Sequence, residues 1–493
     1  MKDSLFRLIH AMTRNEKRAF TLEAKQNHAS PQYWELFNQI SKMKEYDEEV
    51  LRKKFNSSNF SVDKAYLYDA LLRSLRNYNS EQNLTRQIKN KILDANYLFN
   101  AQMFEEAKDL LKQAEKMAKK IGDGILQLEI NRDIRRVIKA HRSDIFEKEL
   151  NEKIDEVPLI QKAIDADLLY LKLNDELLIT SNFSAKNRPD NFLQAIKEKY
   201  KPYFLNVNKP KALKTRFRYL QSSYLLASVT GDVKSLNETI EEIFELWQEN
   251  KFYQKEDRFA YIVDLGNLIG SYLNQKKFQQ IAAVLAELEA IEPKNVLEEV
   301  NRFRKLKILQ LSYNLNIGII KDFDKLEKEV RLGLFKYAFP KVAIRRAYFN
   351  LAMLALMANE PKKCKRYCDW LTERDANIDQ IHLVIAACLI KCMALYNLSD
   401  DSLEKYLRKV KGWLRSWKLQ NLDLNFETQV IDFFIQLDKT GQVDRRPIFV
   451  AFQRYLSSIT SSPGDIHELL TYWIIEKTQN QPIWEQIRAL NIP

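Results

Sequence analysis

The sequence predicts an all-α protein, and three observations carry that prediction. Gly and Pro are both scarce, at 10 and 12 of 493 residues, about 2 % apiece where ordinary usage is roughly 7 % and 5 %. Apolar residues recur almost everywhere at the i, i+3, i+4, i+7 spacing that puts one stripe on a helix. No segment sustains the apolar–polar alternation of a strand. Turn-rich β folds and glycine phosphate cradles need Gly where the backbone takes φ > 0 or approaches a ligand closely. Sandwiches, propellers and Rossmann-type enzymes are therefore argued against. A hydrophobic fraction of 45 % beside 29 % charged residues is that of a globular chain with an ample core.

The elements follow in order. Leu5, Leu8, Ile9 and Met12 form the first stripe, Thr13 with Glu16 reads as a capping box, and Ser30-Pro31 as a cap followed by an N1 proline. Leu67, Ala70, Leu71, Ser74, Leu75 and Tyr78 make another stripe, so residues 1–82 read as a module of about five short helices. A helical pair at about 86–100 and 104–120 opens a second region, 83–182. Breaks are expected at Thr180–Phe192 (TSNFSAKNRPDNF) and at Asn206–Lys211. From 193 to 420 short polar breaks recur at Gly231-Asp232, Gln275-Lys276, Lys321-Asp322, Glu360-Pro361 and Asp400-Asp401, about 44, 46, 39 and 40 residues apart. They delimit helix pairs at 211–229 with 233–249, 256–274 with 277–291, 299–319 with 323–335, 341–358 with 361–373, and 380–397 with 401–418. One hairpin cannot bury its own apolar face, so recurring hairpins are expected to stack as an α-solenoid. Residues 421–493, with helices at Pro447–Ile459 and Ile466–Lys477 and the ending Trp473, Trp484, Ile487, read as the cap that covers the last repeat.

The stretch Ala95 to Ala118, with Phe104, Ala107, Leu111 and Ala114, resembles a tetratricopeptide (TPR) repeat. Leu265-Gly266-Asn267 followed by Gly270, Tyr272 and Phe278, and then Tyr348, Leu351, Ala352, Ala355 and Cys364, are weaker echoes of it. The likeness extends over about two-thirds of the chain. The period nearer 42 departs from the family's 34, and such lengths also suit HEAT-like arrays. The chain as a whole also looks similar to uncharacterised bacterial TPR-like proteins, a likeness that supplies no activity. What the resemblance implies is a right-handed superhelix of TPR-like hairpins that binds peptides on its concave face.

The net charge of +12 is unevenly spread. Residues 191–220 carry +7, 221–300 carry −7 and 301–350 carry +8. Alternating signed patches suit a partner surface of complementary charge, whereas a nucleic-acid groove calls for one contiguous basic face. On the first helices of the pairs, Arg302, Lys305, Arg345, Arg346 and Asn350 are the candidate partner-binding residues, with Arg suited to bidentate recognition of carboxylates. Their alternative role is that of solvated, solubilising side chains on a helix face. The N-terminal module also reads as a helix-turn-helix, with Glu48–Phe55, a turn at Asn56–Ser61 and a recognition helix Val62–Tyr78. Tyr66, Arg73 and Arg76 would then meet nucleic acid. Asp69 in their midst and a net charge of only +3 over residues 1–85 oppose that reading.

All four cysteines follow the pattern C-x3-C-x19-C-x3-C: Cys364, Cys368, Cys388 and Cys392. Four thiolates on two antiparallel helices could hold Zn²⁺ or an iron–sulfur cluster, or form disulfides. Cys388 and Cys392 lie within an apolar stripe, however, and core packing is the favoured expectation. The five His are scattered, and no catalytic motif emerges. The longest uninterrupted apolar run, Leu383–Ile390, is closed by Lys391, too short for a membrane span. No leader is evident and cysteine is scarce, so a reducing cytoplasm is expected. The sequence thus points to a non-catalytic scaffold for a protein or peptide partner, with no cofactor. The alternative is a nucleic-acid-binding transcriptional regulator.

Overall fold

Helices carry all the regular structure in the computed structural model of this chain, and no strand occurs among the described residues. Those are the whole chain apart from 1–2, 27–30, 56–59, 80–82, 182–190, 206–208, 374–380, 419–421, 441–444, 460–464 and 492–493. The all-α expectation is met. Most of the expected break at Thr180–Phe192 and half of that at Asn206–Lys211 lie outside the described residues, as do Ser30 and most of the turn expected at Asn56–Ser61.

Seven helix ends share one device. The backbone turns left-handed at Gln102, Gly122, Gly231, Lys276, Gly318, Asn359 and Ser399, with φ between 50° and 73°. At each, the following N–H donates to the carbonyl five residues back. These bonds run from Met103 to Leu98, Asp123 to Ala118, Asp232 to Ala227, Lys277 to Tyr272, Ile319 to Asn314, Glu360 to Ala355 and Asp400 to Leu395, at 2.8–3.2 Å. This Schellman closure satisfies carbonyls that a helix end leaves orphaned. Four of the seven turns use a residue with a Cβ, so scarce glycine does not mean scarce turns.

The chain divides into two compact units, Met1–Ser271 with Glu292–Glu299, and Tyr272–Ile291 with Val300–Pro493. The first begins with five helices, Ser4–Ala11, Arg14–Gln26, Pro31–Lys42, Glu48–Phe55 and Phe60–Tyr78. The capping box is present: Glu16 N–H donates to Thr13 Oγ1 at 3.2 Å, and Glu16 Oε2 accepts from Thr13 N–H at 2.8 Å. The five apolar stripes share one core, in which Ile9, Leu36, Ile40, Leu67 and Leu71 are sealed from solvent. Leu84–Asn100 and Phe104–Ile121 then pack along their lengths, with Ala95, Ala107, Ala114 and Ala118 all buried. The Glu256 carboxylate caps the start of this pair, accepting the N–H groups of Leu84 (2.6 Å) and Thr85 (3.0 Å), where an anion meets the positive end of the helix. Further on, Val157–Ser181 packs on Leu213–Thr230, which pairs with Val233–Glu249.

The second unit is centred on Ile381–Leu398, a helix with buried residues on every side. It is apolar and long enough by composition to cross a membrane, with a mean hydropathy of 1.8 that the run Leu383–Ile390 alone does not signal. Inside the protein 61 % of it is buried, and Lys391, which interrupts the run, pairs with Asp369. Lys341–Met357 with Pro361–Glu373, and then Leu403–Lys418, flank it. In the C-terminal region Arg445–Ser457 and Asp465–Gln479 lie where helices are expected, while Asn425–Lys439 and Ile483–Asn491 add two that sequence reading missed. Sealed Trp473 donates its indole N–H to Asn397 Oδ1 at 3.1 Å. The last helix returns to Leu309–Ile317: Asn491 Nδ2 donates to the Asn316 carbonyl at 2.9 Å. A strictly nearest-neighbour array has no contact of that kind.

Candidate partner-binding groove

Within the second unit, the helix that reaches Phe303 passes through a π turn, Arg304–Ile308, before continuing as Leu309–Ile317. A π turn inserts extra backbone into the helix and re-aims its side chains, and such turns recur at functional sites. Opposite it, Phe323–Lys336 contributes Gly333 and Leu334, and the short connection to Lys341–Met357 contributes Tyr337, Phe339 and Pro340. Gly333 is the reason these elements close up. A Cβ there would stand within 2.6 Å of three ring atoms of Phe303. The ring so seated lies 5.3 Å from Tyr337 and 5.9 Å from Phe339, centroid to centroid.

The result is a groove of about 370 Å³. Its floor is apolar, made by Ile308, Leu309, Leu334, Phe339, Pro340 and Ala343. Its rim is cationic, made by Arg304, Lys305 and Arg346, and among the described residues no carboxylate lines it. Arg304 donates to Asn301 Oδ1 at 3.1 Å, and neither it nor exposed Arg346 is ion-paired with a described residue. Val342 is 60 % exposed at the groove's edge.

The five expected partner-binding residues therefore divide. Lys305 and Arg346 line the groove. Arg302 is committed elsewhere: it donates from Nε to the Leu288 carbonyl (2.9 Å) and from Nη2 to the Glu289 carbonyl (2.6 Å), closing the end of Phe278–Ala290. Asn350 ties its helix to the neighbouring one through Ser312 Oγ at 3.0 Å. Arg345 is half-buried, outside the groove lining, and holds interactions within the protein. Sequence reading missed Arg304 and Phe339. Two signals pointed to them: a glycine inside an otherwise regular helical stretch, and the cluster Tyr337-Ala338-Phe339-Pro340 just after it.

In the first unit two cations that line a cavity are used internally. A cavity of about 90 Å³ in the first unit is lined by Lys214, Arg218, Trp247 and Tyr253. Lys214 pairs with Asp123 at 2.6 Å and Arg218 pairs with buried Asp167. Tyr66, Asp69, Arg73 and Arg76 are all exposed on one side of Phe60–Tyr78, and Tyr66 stacks on Tyr33 at 4.5 Å. The four cysteines are buried free thiols in the core of the second unit. Burial pushes the Cys388 thiol up to about 12 and the Cys368 and Cys392 thiols well above their ordinary range, so all three stay protonated. No grouping of three or more His, Cys, Asp or Glu with metal-site geometry occurs among the described residues.

No family model, no curated protein and no solved structure matches this chain.

Proposed function

We propose that this chain is a non-catalytic, cytoplasmic scaffold whose helical hairpins stack as a right-handed, TPR-like solenoid and bind a protein partner. The observation that carries the reading is the groove. It combines an apolar lining with Arg304 and Arg346, neither ion-paired among the described residues, whereas Lys214 and Arg218 in the first unit are already paired. An unpaired cation beside exposed apolar surface gains from a partner that supplies both burial and an anion.

The test is capture from a lysate of the native host by the tagged full chain, with half of the lysate treated with nuclease. The scaffold reading expects a defined protein recovered from both halves. Recovery only from the untreated half would replace it with the nucleic-acid-binding regulator, acting through Tyr66, Arg73 and Arg76.

A further inference from the structure

From the chemistry of the groove we infer that its occupant is an acidic amphipathic segment of a partner protein, with apolar side chains on the floor and Asp or Glu carboxylates on Arg304 and Arg346. The inference rests on the scaffold reading and deepens it. Three features of the groove select this class of ligand.

The first is shape and polarity. About 370 Å³ lies at the lower end of ligand-sized sites, room for a few apolar side chains but not for a folded domain. A floor of aliphatic and aromatic side chains rewards burial of Leu- or Phe-like groups. It offers a sugar–phosphate backbone nothing to bond.

The second is charge. Three cations and, among the described residues, no carboxylate line the site, in a stretch whose net charge over residues 301–350 is +8. The first turn of Lys341–Met357 carries no acidic side chain, and its positive end adds to the same field. Guanidinium groups suit carboxylates because two parallel N–H donors match two oxygens. A neutral apolar segment would leave Arg304 and Arg346 partly desolvated without a counter-charge among the described residues, which disfavours it.

The third is pre-organisation. The floor is held before any ligand arrives, because Phe303 is seated on Gly333 and stacks towards Phe339, and the π turn fixes where Arg304 and Lys305 emerge. A rigid site loses less side-chain freedom on binding.

The experiment is fluorescence anisotropy with the full chain and four labelled probes. These are a 15-residue peptide of Leu, Phe and Glu in amphipathic order, its Glu-to-Gln and its Leu/Phe-to-Ser counterparts, and a single-stranded oligonucleotide of 15 bases. The acidic apolar peptide is expected to bind, and each altered peptide to bind at least about tenfold more weakly, the loss that one or two charge-assisted bonds or buried side chains convey. Arg346→Glu and Val342→Glu, both at exposed positions and checked for unchanged circular dichroism, are each expected to weaken it about tenfold.

No binding of the acidic peptide at millimolar concentration, equal binding of the Gln counterpart, or indifference to both variants would overturn the assignment. Tighter binding of the oligonucleotide, lost in Arg346→Glu, would also overturn it and make the groove a nucleic-acid site. The two readings fail separately. A nuclease-resistant partner captured equally by wild type and by both groove variants leaves the scaffold standing and removes the groove. The absence of any nuclease-resistant partner removes the scaffold.

Discussion

Replacing Gly333 by Ala sets two known effects against each other. Gly333 lies inside Phe323–Lys336, where Ala is intrinsically favoured over Gly by about 1 kcal/mol. Propensity alone makes the change stabilising. The structure says otherwise, because the new Cβ would fall within 2.6 Å of the Cζ, Cε2 and Cε1 atoms of Phe303. Non-bonded carbons settle at about 3.5–4.0 Å, so the ring must retreat by roughly 1 Å or more rather than lean. Overpacking of this kind costs about 1–3 kcal/mol. Displacing the ring from Tyr337 and Phe339 removes aromatic contacts worth about 0.5–1.5 kcal/mol each. Cost exceeds gain, and the net expectation is a loss of about 1–5 kcal/mol.

The assay is urea unfolding of the full chain, followed by near-ultraviolet circular dichroism and run as a double-mutant cycle with Phe303→Ala. A chain of two compact units need not unfold in one step, so the transition that shifts is the one compared. With the ring gone, Gly333→Ala should become neutral or stabilising, a coupling of at least about 1 kcal/mol between the sites. If Gly333→Ala alone raises stability by about 1 kcal/mol, or if the two changes add, the seat described for Phe303 is wrong.

Other consequences follow from the helix ends, the thiols and the carboxylates. Ser399 is a non-glycine residue held at φ 50°, so Ser399→Gly should stabilise the chain by about 0.5–1 kcal/mol by removing a left-handed Cβ clash. A drop in the unfolding midpoint would contradict the Schellman assignment there. None of the four cysteines should react with a thiol reagent at pH 8 in the native state, and all four should do so after unfolding without reductant. Fast labelling of one or more native thiols would show the core to be open. Hydrogen bonds from Ser402 and the nearby Lys365 ammonium hold the Asp400 carboxyl at about 2, against an ordinary 3.8, and Lys64 with Arg52 holds Glu48 likewise at about 2. A depressed carboxyl pKa contributes stability that is present above the unfolded value and lost as pH falls through the folded one. Urea midpoints should therefore fall between about pH 4 and pH 2, and less steeply in Asp400→Asn; the same slope in that variant would refute the contribution.

The sequence shows where the helices are because stripe and break are local. The pairs read at 211–229 with 233–249 and at 341–358 with 361–373 are found as Leu213–Thr230 with Val233–Glu249 and Lys341–Met357 with Pro361–Glu373. Even the turns were partly legible, since each of the five polar breaks holds or adjoins a residue with positive φ. What a stripe cannot convey is which cation already has a partner. Arg302 and Arg346 look alike on a helical wheel, yet one closes a helix end 14 residues back and the other stands at the groove unpaired. The π turn left no mark in the pattern, because Phe303, Leu306 and Leu309 keep helical spacing across Arg304–Ile308. The return of Ile483–Asn491 to Leu309–Ile317 was equally hidden, since it depends on contacts some 175 residues apart.

Photo-crosslinking from position 342 tests the central claim most directly. A benzophenone amino acid placed at Val342, on the edge of the groove, would be irradiated in cells of the native host, with Tyr66 as the second position tested. The scaffold account predicts a discrete protein adduct from position 342 whose attached peptide is acidic and apolar, and its loss on adding Arg346→Glu. Adducts to nucleic acid from position 66, with no protein adduct from position 342, would contradict it.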